Sequence, residues 1–402
     1  MGDAAGDLAL RQTAPAEPGL HALVGAVLIG GLAVTQIVAM PLLAAIVAGA
    51  FDAGSAGAGL IGLGNLFGTA AGSLFVTLFL PSLRPRQTAL VATVLACASQ
   101  FLVGFVSTFA GAVLLEAIAG AGAGVLLALS SAIVGASANS DRGFGFILAL
   151  QALVAVVVLL VLPIFSTFPG LLAVVSLLTC VQIVLVPVCF TLGVQSQAAS
   201  HPSARNRGAP VSSTVWLFSI AYFAFSAAVG VIWVFSGVLG GLAGIGVEAV
   251  GHSLALGNIA AIAGSLLAAA IATRFGRLLP IICVCLILMS GVALFSSAMT
   301  HATFYVASSL YLFAWGAGLP FFMGAVAEDD PTDRVTAMLP VISFAGMGVG
   351  PALVSLVPLV SLSGQVVGTT CVFSLSAILV TVLARHFQER KSRLSSSACS
   401  GT

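Results

Sequence analysis

The stretch LGNLFGTAAGSL, residues 63–74, returns in altered form as LGNIAAIAGSL, residues 256–266. Leu-Gly-Asn recurs after 193 residues and Ala-Gly-Ser-Leu after 192, and two further matches follow in the same order. One pairs Gly120-Ala121-Gly122 with Gly316-Ala317-Gly318, and the other pairs Asp141-Arg142 with Asp333-Arg334. Each match alone is weak in a chain rich in alanine and glycine. Four matches in order, at offsets of 192 to 196 residues, indicate a duplicated unit of about half the chain.

The composition places both copies in a membrane. Of the 402 residues, 60% are hydrophobic and only 6% are charged, and the mean hydropathy is +1.19. Soluble domains carry about 25% charged residues, so a chain this poor in charge must turn most of its surface toward lipid. The net charge of +1 gives no field that would attract nucleic acid, which argues against such a partner. The 45 glycines suit close contacts between membrane helices.

Twelve apolar segments are long enough to cross the hydrocarbon core, which takes about 20 residues per helix. Their predicted bounds are 22–50, 58–80, 88–108, 110–134, 143–164, 170–193, 214–238, 250–273, 278–298, 303–327, 335–359 and 365–386. Polar residues fill the interval between the sixth and seventh spans. The sequence therefore predicts an all-α polytopic membrane protein built from two parallel six-helix repeats. Its predicted parts are a tail at 1–21, a bundle at 22–193, a linker at 194–213, a bundle at 214–386 and a tail at 387–402.

The basic residues support this count independently of hydropathy. Of the 13 lysines and arginines, 12 fall in a predicted tail or in an even-numbered loop, Arg385 lies at the tail end of span 12, and none falls in an odd-numbered loop. A miscounted span in the first half would break this alternation in the second. Because basic residues accumulate on the cytoplasmic side, both termini and the linker are expected in the cytoplasm, with the protein in the cytoplasmic (inner) membrane.

The turn between spans 8 and 9 reads Thr273-Arg274-Phe275-Gly276-Arg277, and the turn between spans 2 and 3 carries Arg84 and Arg86. These loop residues, together with the twelve spans and the duplication, resemble the pattern of a major facilitator superfamily transporter. The resemblance extends over nearly the whole chain. The resemblance implies that basic and acidic residues in these loops hold the two halves together at the cytoplasmic side. That gate would comprise Arg84, Arg86, Asp141, Arg142, Arg274, Arg277, Asp333 and Arg334. A solvated basic turn is the alternative.

The chain also departs from the family pattern. Many members have an arginine four residues before a glycine of span 4, where this chain has Glu116. Span 5 lacks the Gly-Pro pair of the proton antiporters. We expect small residues and prolines to serve as packing points or hinges, namely Gly120, Gly122, Pro320, Gly350 and Pro351.

Glu116 is the one ionisable side chain well inside a span, and such residues usually mark transport pathways. It lies roughly 9–12 Å from the outer end of span 4, counting about 1.5 Å per residue. Hydrocarbon disfavours the ionised form of a carboxyl group. Glu116 is therefore a candidate proton carrier. A neutral carboxyl that packs against a neighbouring helix through a hydrogen bond is the alternative.

Spans 1, 4, 7 and 10 line the central cavity in this superfamily, and the resemblance assigns the same place to their polar and aromatic residues here. On span 7 the spacing of Tyr222, Ser226 and Trp233 puts all three on one helical face. The candidate substrate contacts are Gln36, Tyr222, Ser226, Trp233, Tyr311 and Trp315. An interfacial aromatic belt is the alternative. Asn65 and Asn258, at matching places in spans 2 and 8, are expected to form hydrogen bonds between helices.

The sequence thus predicts a secondary transporter without enzymatic activity, working as a symporter or antiporter with protons. No lysine or arginine lies deep inside a span to offset the charge of an anion, which favours a small, neutral or cationic, moderately apolar solute. A uniporter or an organic-anion carrier of the same fold stays open, whereas motifs for an intramembrane enzyme and a polar stripe for a channel are missing. No cofactor or metal is expected, and the protein is expected to be a monomer.

Overall fold

A computed structural model describes residues 19–137, 140–166, 171–193, 211–271, 274–296, 299–330, 334–356 and 361–399. In these ranges all regular structure is helical, and the helices follow the two predicted sets of six. They are α1, Leu20–Ala50; α2, Gly54–Phe79; α3, Pro85–Leu102; α4, Phe109–Gly135; α5, Ser140–Ser166; α6, Leu171–Cys189; α7, Ser213–Leu242; α8, Val247–Ile271; α9, Leu278–Ala293; α10, His301–Asp329; α11, Leu339–Leu356; and α12, Leu362–Cys399. The tail at 1–18 and most of the predicted linker, 194–210, lie outside the described residues.

The prediction of an all-helical membrane protein with twelve spans is confirmed. Ten of these helices are long and apolar enough to cross a membrane by themselves. The other two are α9, which has 16 residues, and α3, which begins with the polar run Pro85-Arg86-Gln87-Thr88. Helix α9 packs against α12, and α3 packs against α4. Each therefore completes the set of six helices in its own bundle.

Helix α1 is broken at Ala33 and Val34, so its two parts are Leu20–Leu32 and Thr35–Ala50. The hydroxyl of Thr35 donates to the carbonyl of Leu32 at 2.6 Å, which satisfies one acceptor at the break. Six residues further on, Pro41 stands inside the second part. Proline has no N–H, and the carbonyl four residues earlier therefore loses its helical partner. That carbonyl belongs to Ile37.

The duplication is visible in matching contacts of the two bundles. Ser73 on α2 donates to the carbonyl of Gly124 on α4 at 3.2 Å, and Ser265 on α8 donates to the carbonyl of Gly316 on α10 at 2.9 Å. Gly124 is therefore the structural counterpart of Gly316, at a constant offset of 192 residues. The sequence match of Gly120 to Gly316 is wrong by one helical turn, because α4 carries glycine at 120, 122 and 124 and composition alone fits either turn.

The two bundles meet mainly through three pairs of helices, α1 with α7, α2 with α11, and α5 with α8, and a smaller contact joins α2 to α7. The duplication relates α2 to α8 and α11 to α5, so the second and third pairs are equivalent. Small residues permit these contacts. A Cβ on Gly237 of α7 would lie 2.0 Å from the carbonyl oxygen of Pro41, and one on Gly251 of α8 would lie 2.4 Å from that of Leu159. Apolar side chains on the outer faces of the helices, such as Leu114 and Leu266, are exposed, as expected for residues that face lipid.

Candidate functional site

Close packing of α2 on α4 creates the setting of the site. A Cβ on Gly120 would lie 2.0 Å from the carbonyl oxygen of Asn65, and one on Gly68 would lie 2.0 Å from that of Ala117. Only glycine permits such an approach of two backbones. The contact brings Asn65 beside Glu116, which stands seven residues from the start of α4, about 10 Å along the helix axis.

Glu116 is fully buried and hydrogen-bonded on both carboxyl oxygens. Asn65 Nδ2 donates to Oε2 at 3.0 Å, and Gln100 Nε2 donates to Oε1 at 3.1 Å. Both donors are themselves fully buried. Two amide groups from α2 and α3 therefore hold the carboxyl group in one orientation within the core of the first bundle.

The hydrogen bonds continue from Asn65 to α1 and α6. Asn65 Nδ2 also lies 3.3 Å from Gln36 Oε1, and Gln36 Nε2 donates to Gln182 Oε1 at 3.0 Å. We call Gln36, Asn65, Gln100, Glu116 and Gln182 the polar network. Its five side chains come from five helices of the first bundle, and each is at most 1% exposed. The polar network thus connects the carboxyl group to Gln36, close to the break in α1.

Two oxygen atoms of the polar network have no hydrogen-bond partner among the described residues. They are Asn65 Oδ1 and Gln100 Oε1, both buried next to Glu116. Buried polar atoms normally have partners. The side-chain amides of Asn and Gln can exchange donor and acceptor by a half-turn. A half-turn of Gln100 would offer its oxygen to Glu116 without breaking any other bond that Gln100 makes here.

The polar network adjoins a contact between the two bundles. Trp233 Nε1 on α7 donates to the carbonyl of Ile37 at 2.9 Å, and Ile37 directly follows Gln36. This is the carbonyl that Pro41 leaves without a helical partner. The indole ring of Trp233 also lies against that of Trp315 on α10, with 6.3 Å between centroids. Of the six predicted substrate contacts, the structure therefore brings Gln36, Trp233 and Trp315 to one region.

The other three predicted contacts lie inside the second bundle. Tyr222 stacks on Phe322, with 6.1 Å between ring centroids, and the hydroxyl of Ser226 is 3.3 Å from that of Ser343. The hydroxyl of Tyr311 lies 3.4 Å from that of Ser236. Tyr222 and Ser226 thus face α10 and α11, whereas Trp233 faces α1. Their role in binding stays a prediction.

The second bundle does not repeat the chemistry of the first. At the 192-residue offset, Ser308 corresponds to Glu116, and its buried hydroxyl has no partner among the described residues. Asn258, which matches Asn65 in the sequence at an offset of 193 residues, donates from Nδ2 to the carbonyl of Leu254 on its own helix at 2.9 Å. Asn65 forms the predicted bonds between helices, and for Asn258 the structure shows an intrahelical bond instead.

Comparison with solved structures identifies the fold. Transporters match nearly the whole chain. A mutant of the nucleoside transporter NupG has a TM-score of 0.72 at 12% identity, covering 90% of this chain and 99% of its own. The xylose transporter XylE from E. coli, in a partially occluded inward-open conformation, has a TM-score of 0.70 at 14% identity, with 91% and 98% covered.

A bacterial homolog of the human lysosomal transporter Spinster, inward-facing and unoccupied, has a TM-score of 0.66 at 15% identity, with 92% and 96% covered. The chain has the major facilitator superfamily fold. By sequence, it matches no family model and no curated protein. The resemblance inferred from twelve spans, the duplication and the loop residues is therefore confirmed at the level of the fold.

On the basic face of this major facilitator fold, the predicted gate residues are spread over both bundles. Arg277 Nε is 2.6 Å from Glu328 Oε2 at the end of α10, an ion pair within the second bundle. The guanidinium groups of Arg86 and Arg142 lie over Phe190 and Phe146 of their own bundle. Arg84, Arg274 and Arg334 are exposed. Asp333 and the side chain of Asp141 lie outside the described residues.

The predicted packing residues occupy close helix contacts. A Cβ on Gly122 would lie 2.6 Å from the carbonyl oxygen of Ala92, and one on Gly350 would lie 2.2 Å from that of Ala227. Pro351 is buried inside α11, and Pro320 stands inside α10 with an exposed side chain. Gly120 lies in a close contact of the same kind, against the carbonyl oxygen of Asn65. Their role as hinges stays a prediction.

Sequence reasoning missed Gln100 and Gln182. Each is an amide inside an apolar run, and a polar residue within a span is itself an indication of a partner on another helix. No group of three or more His, Cys, Asp or Glu suited to a metal occurs in the described ranges. The site therefore consists of a buried carboxyl group, amides and indole rings.

Proposed function

We propose that the protein is a secondary transporter that moves a small, neutral or cationic, moderately apolar solute by alternating access, coupled to protons through Glu116. The observation that carries the proposal is a buried carboxyl group held by two amides inside a major facilitator fold. Ionisable groups at membrane depth are costly and are rarely kept without a role. We also propose a monomer in the cytoplasmic membrane, with two bundles joined by the linker at 194–213 and both termini in the cytoplasm.

The surroundings of Glu116 suit both of its protonation states. As the amides stand, Asn65 and Gln100 both donate to the carboxyl group, an arrangement that suits its ionised form. A protonated carboxyl group needs an acceptor, and the unpartnered Oε1 of Gln100 would provide one after a half-turn of the amide. A residue kept only for packing needs just one of these arrangements. The ability to satisfy both supports reversible proton binding.

Coupling also requires that the two protonation states favour different arrangements of the bundles. The polar network supplies a physical connection for this, because Asn65 links Glu116 to Gln36, and Ile37 bonds to Trp233 of the second bundle. We propose that protonation of Glu116 changes the position of Gln36 and thereby the strength of the contact between α1 and α7.

The proposed substrate class rests on the residues of this chain, since the structural neighbours are named for different solutes. No lysine or arginine occurs among the buried side chains of the described residues. An anion would therefore lose its hydration without gaining a buried cation. The paired indole rings of Trp233 and Trp315, with Trp233 bonded to the carbonyl of Ile37, suit a solute with an apolar surface and a few polar groups.

The test begins with a thermal-shift screen of purified protein to find a ligand, followed by transport of that ligand in proteoliposomes. Glu116→Gln should abolish accumulation driven by a pH gradient but leave solute exchange intact. The variant can keep both contacts, since its Oε1 accepts from Asn65 and its Nε2 donates to the oxygen of Gln100 after a half-turn of the Gln100 amide. Glu116→Asp should retain coupling at a lower rate. Glu248→Gln, the same change at an exposed helix end, is the matched control and should transport as the natural protein does.

Three outcomes would overturn parts of the proposal. Full pH-driven accumulation by Glu116→Gln would make Glu116 a packing residue. If the natural protein equilibrates the solute without responding to any proton gradient, it is a uniporter. Absence of counterflow would contradict a carrier altogether, because exchange of labelled for unlabelled solute requires alternating access.

A further inference from the structure

A cavity of about 260 Å³ opens on the basic face of the second bundle, outside the polar network. Helices α7, α9, α10 and α12 form its walls. Its apolar floor includes Phe218 and Ala325, both nearly fully buried, and its rim carries Arg277, Glu328 and Arg385. The cavity thus combines a closed apolar base with charged groups at the membrane surface.

The local backbone holds Arg277 at this rim. Gly276 has a φ of +66°, a conformation that favours glycine, and the turn there places Arg277 directly before α9. A Cβ on Gly324 of α10 would lie 2.3 Å from Nη1 of Arg277, so the absent side chain makes room for the guanidinium group. Glu328 contacts the guanidinium through Nε. Both Nη groups have no hydrogen-bond partner among the described residues.

A second opening joins the cavity from the lipid side. It shares Gly276, Arg277, Leu278 and Arg385 with the first, and its remaining wall is Phe275, Leu279 and Ile282. Phe275 is 64% exposed and Leu279 is 54% exposed, although both are apolar. The two arginines therefore stand between the cavity and an apolar groove that faces the hydrocarbon.

We propose that this cavity binds a glycerophospholipid with an anionic headgroup. Its phosphate would lie between Arg277 and Arg385, and an acyl chain would follow Leu279 and Ile282. The lining holds two arginines and one glutamate, and Arg385 also pairs through Nε with Glu389 at 3.4 Å, an exposed contact that competes only weakly with a phosphate. A guanidinium group can donate two parallel hydrogen bonds to the oxygens of one phosphate. The N–H groups in the first turn of α9 add partial positive charge at the same place. Basic pockets between membrane helices are typical binding sites for such headgroups.

The proposal is tested with the full-length protein in neutral detergent, by native mass spectrometry and thermal melting with phosphatidylglycerol, cardiolipin or phosphatidylcholine. We expect the anionic lipids to bind and to raise the melting temperature more than phosphatidylcholine does. The double variant Arg277→Gln/Arg385→Gln should lower affinity for phosphatidylglycerol about thirtyfold, since each of the two basic residues near a membrane surface contributes about 1 kcal/mol.

The matched control is Arg274→Gln/Arg390→Gln, which removes two charges from the α8–α9 turn and from α12 without touching the cavity lining. It should bind phosphatidylglycerol as the natural protein does, and equal losses in both double variants would show diffuse surface attraction instead. Arg277→Lys/Arg385→Lys should recover most of the binding, which separates lost charge from lost folding. Equal stabilisation by inorganic phosphate or glycerol 3-phosphate would contradict a lipid ligand.

Discussion

The indole Nε1 of Trp233 lies 2.9 Å from the carbonyl oxygen of Ile37, so a hydrogen bond joins the two bundles directly beside the polar network. The bond exists because Pro41 has no N–H to offer that carbonyl. On the next turn of α7, Gly237 lets the backbone of α1 approach closely. A proline, a glycine and a tryptophan, distant in sequence, together build this contact between α1 and α7.

We expect Trp233→Phe to lower the free energy of unfolding by about 1–3 kcal/mol, because the variant keeps an aromatic ring but leaves the buried carbonyl of Ile37 without a donor. Thermal melting of the purified protein measures the change. Trp216→Phe is the matched control, since Trp216 stands on the same helix and is half exposed. If both variants melt alike, the bond does not stabilise the structure described here.

Gly120→Ala tests the close packing of α2 on α4. The added methyl group would lie 2.0 Å from the carbonyl oxygen of Asn65, so the helices must separate and the bond from Asn65 to Glu116 must lengthen. Overpacking of this kind costs about 1–3 kcal/mol. Gly145→Ala is the control, since nothing lies within 4 Å of a Cβ there. A lower melting temperature for Gly120→Ala alone is the expected result, and equal melting would contradict a tight contact.

The orientation can be measured with cysteines introduced into a cysteine-free background. Ser82 follows α2 on the basic face, whereas Ser107 and Ser361 lie in loops at the opposite face. A reagent that cannot cross membranes should label Ser107→Cys and Ser361→Cys in intact cells, and Ser82→Cys only in inverted vesicles. The physical reason is the retention of basic loops in the cytoplasm. The reverse pattern would place the termini outside.

The helices could be predicted because hydropathy and the positions of the arginines are local properties that agree with each other. Glu116 could be singled out for the same reason, as a lone charge in an apolar run. Its partners could not, since Gln100 and Asn65 approach it only after α2, α3 and α4 have packed. The direction of Trp233 likewise depends on Pro41, 192 residues earlier, which no helical wheel of α7 contains.

Asn65 and Asn258 offer a final test, because two asparagines that match in the repeated sequence stand in different surroundings. In the sequence they occupy matching places, and both were expected to join helices. In the structure Asn65 Nδ2 serves Glu116 and Gln36, whereas Asn258 Nδ2 serves the carbonyl of Leu254, which also has its own helical partner. Replacing each by leucine removes the same groups at nearly constant volume.

Asn65→Leu leaves Glu116 with a single amide donor and Gln36 Oε1 without its partner, so we expect a loss of about 1–3 kcal/mol in the free energy of unfolding. Accumulation driven by a pH gradient should fall with it, since the connection from Glu116 to α1 is cut. Asn258→Leu removes only a second bond to a carbonyl that α8 already satisfies, and we expect a change below about 1 kcal/mol with coupling intact. Thermal melting and uptake in proteoliposomes compare the two variants. Equal losses of stability with coupling preserved in both would mean that each asparagine only packs its helix, and that the polar network does not carry the response to protons.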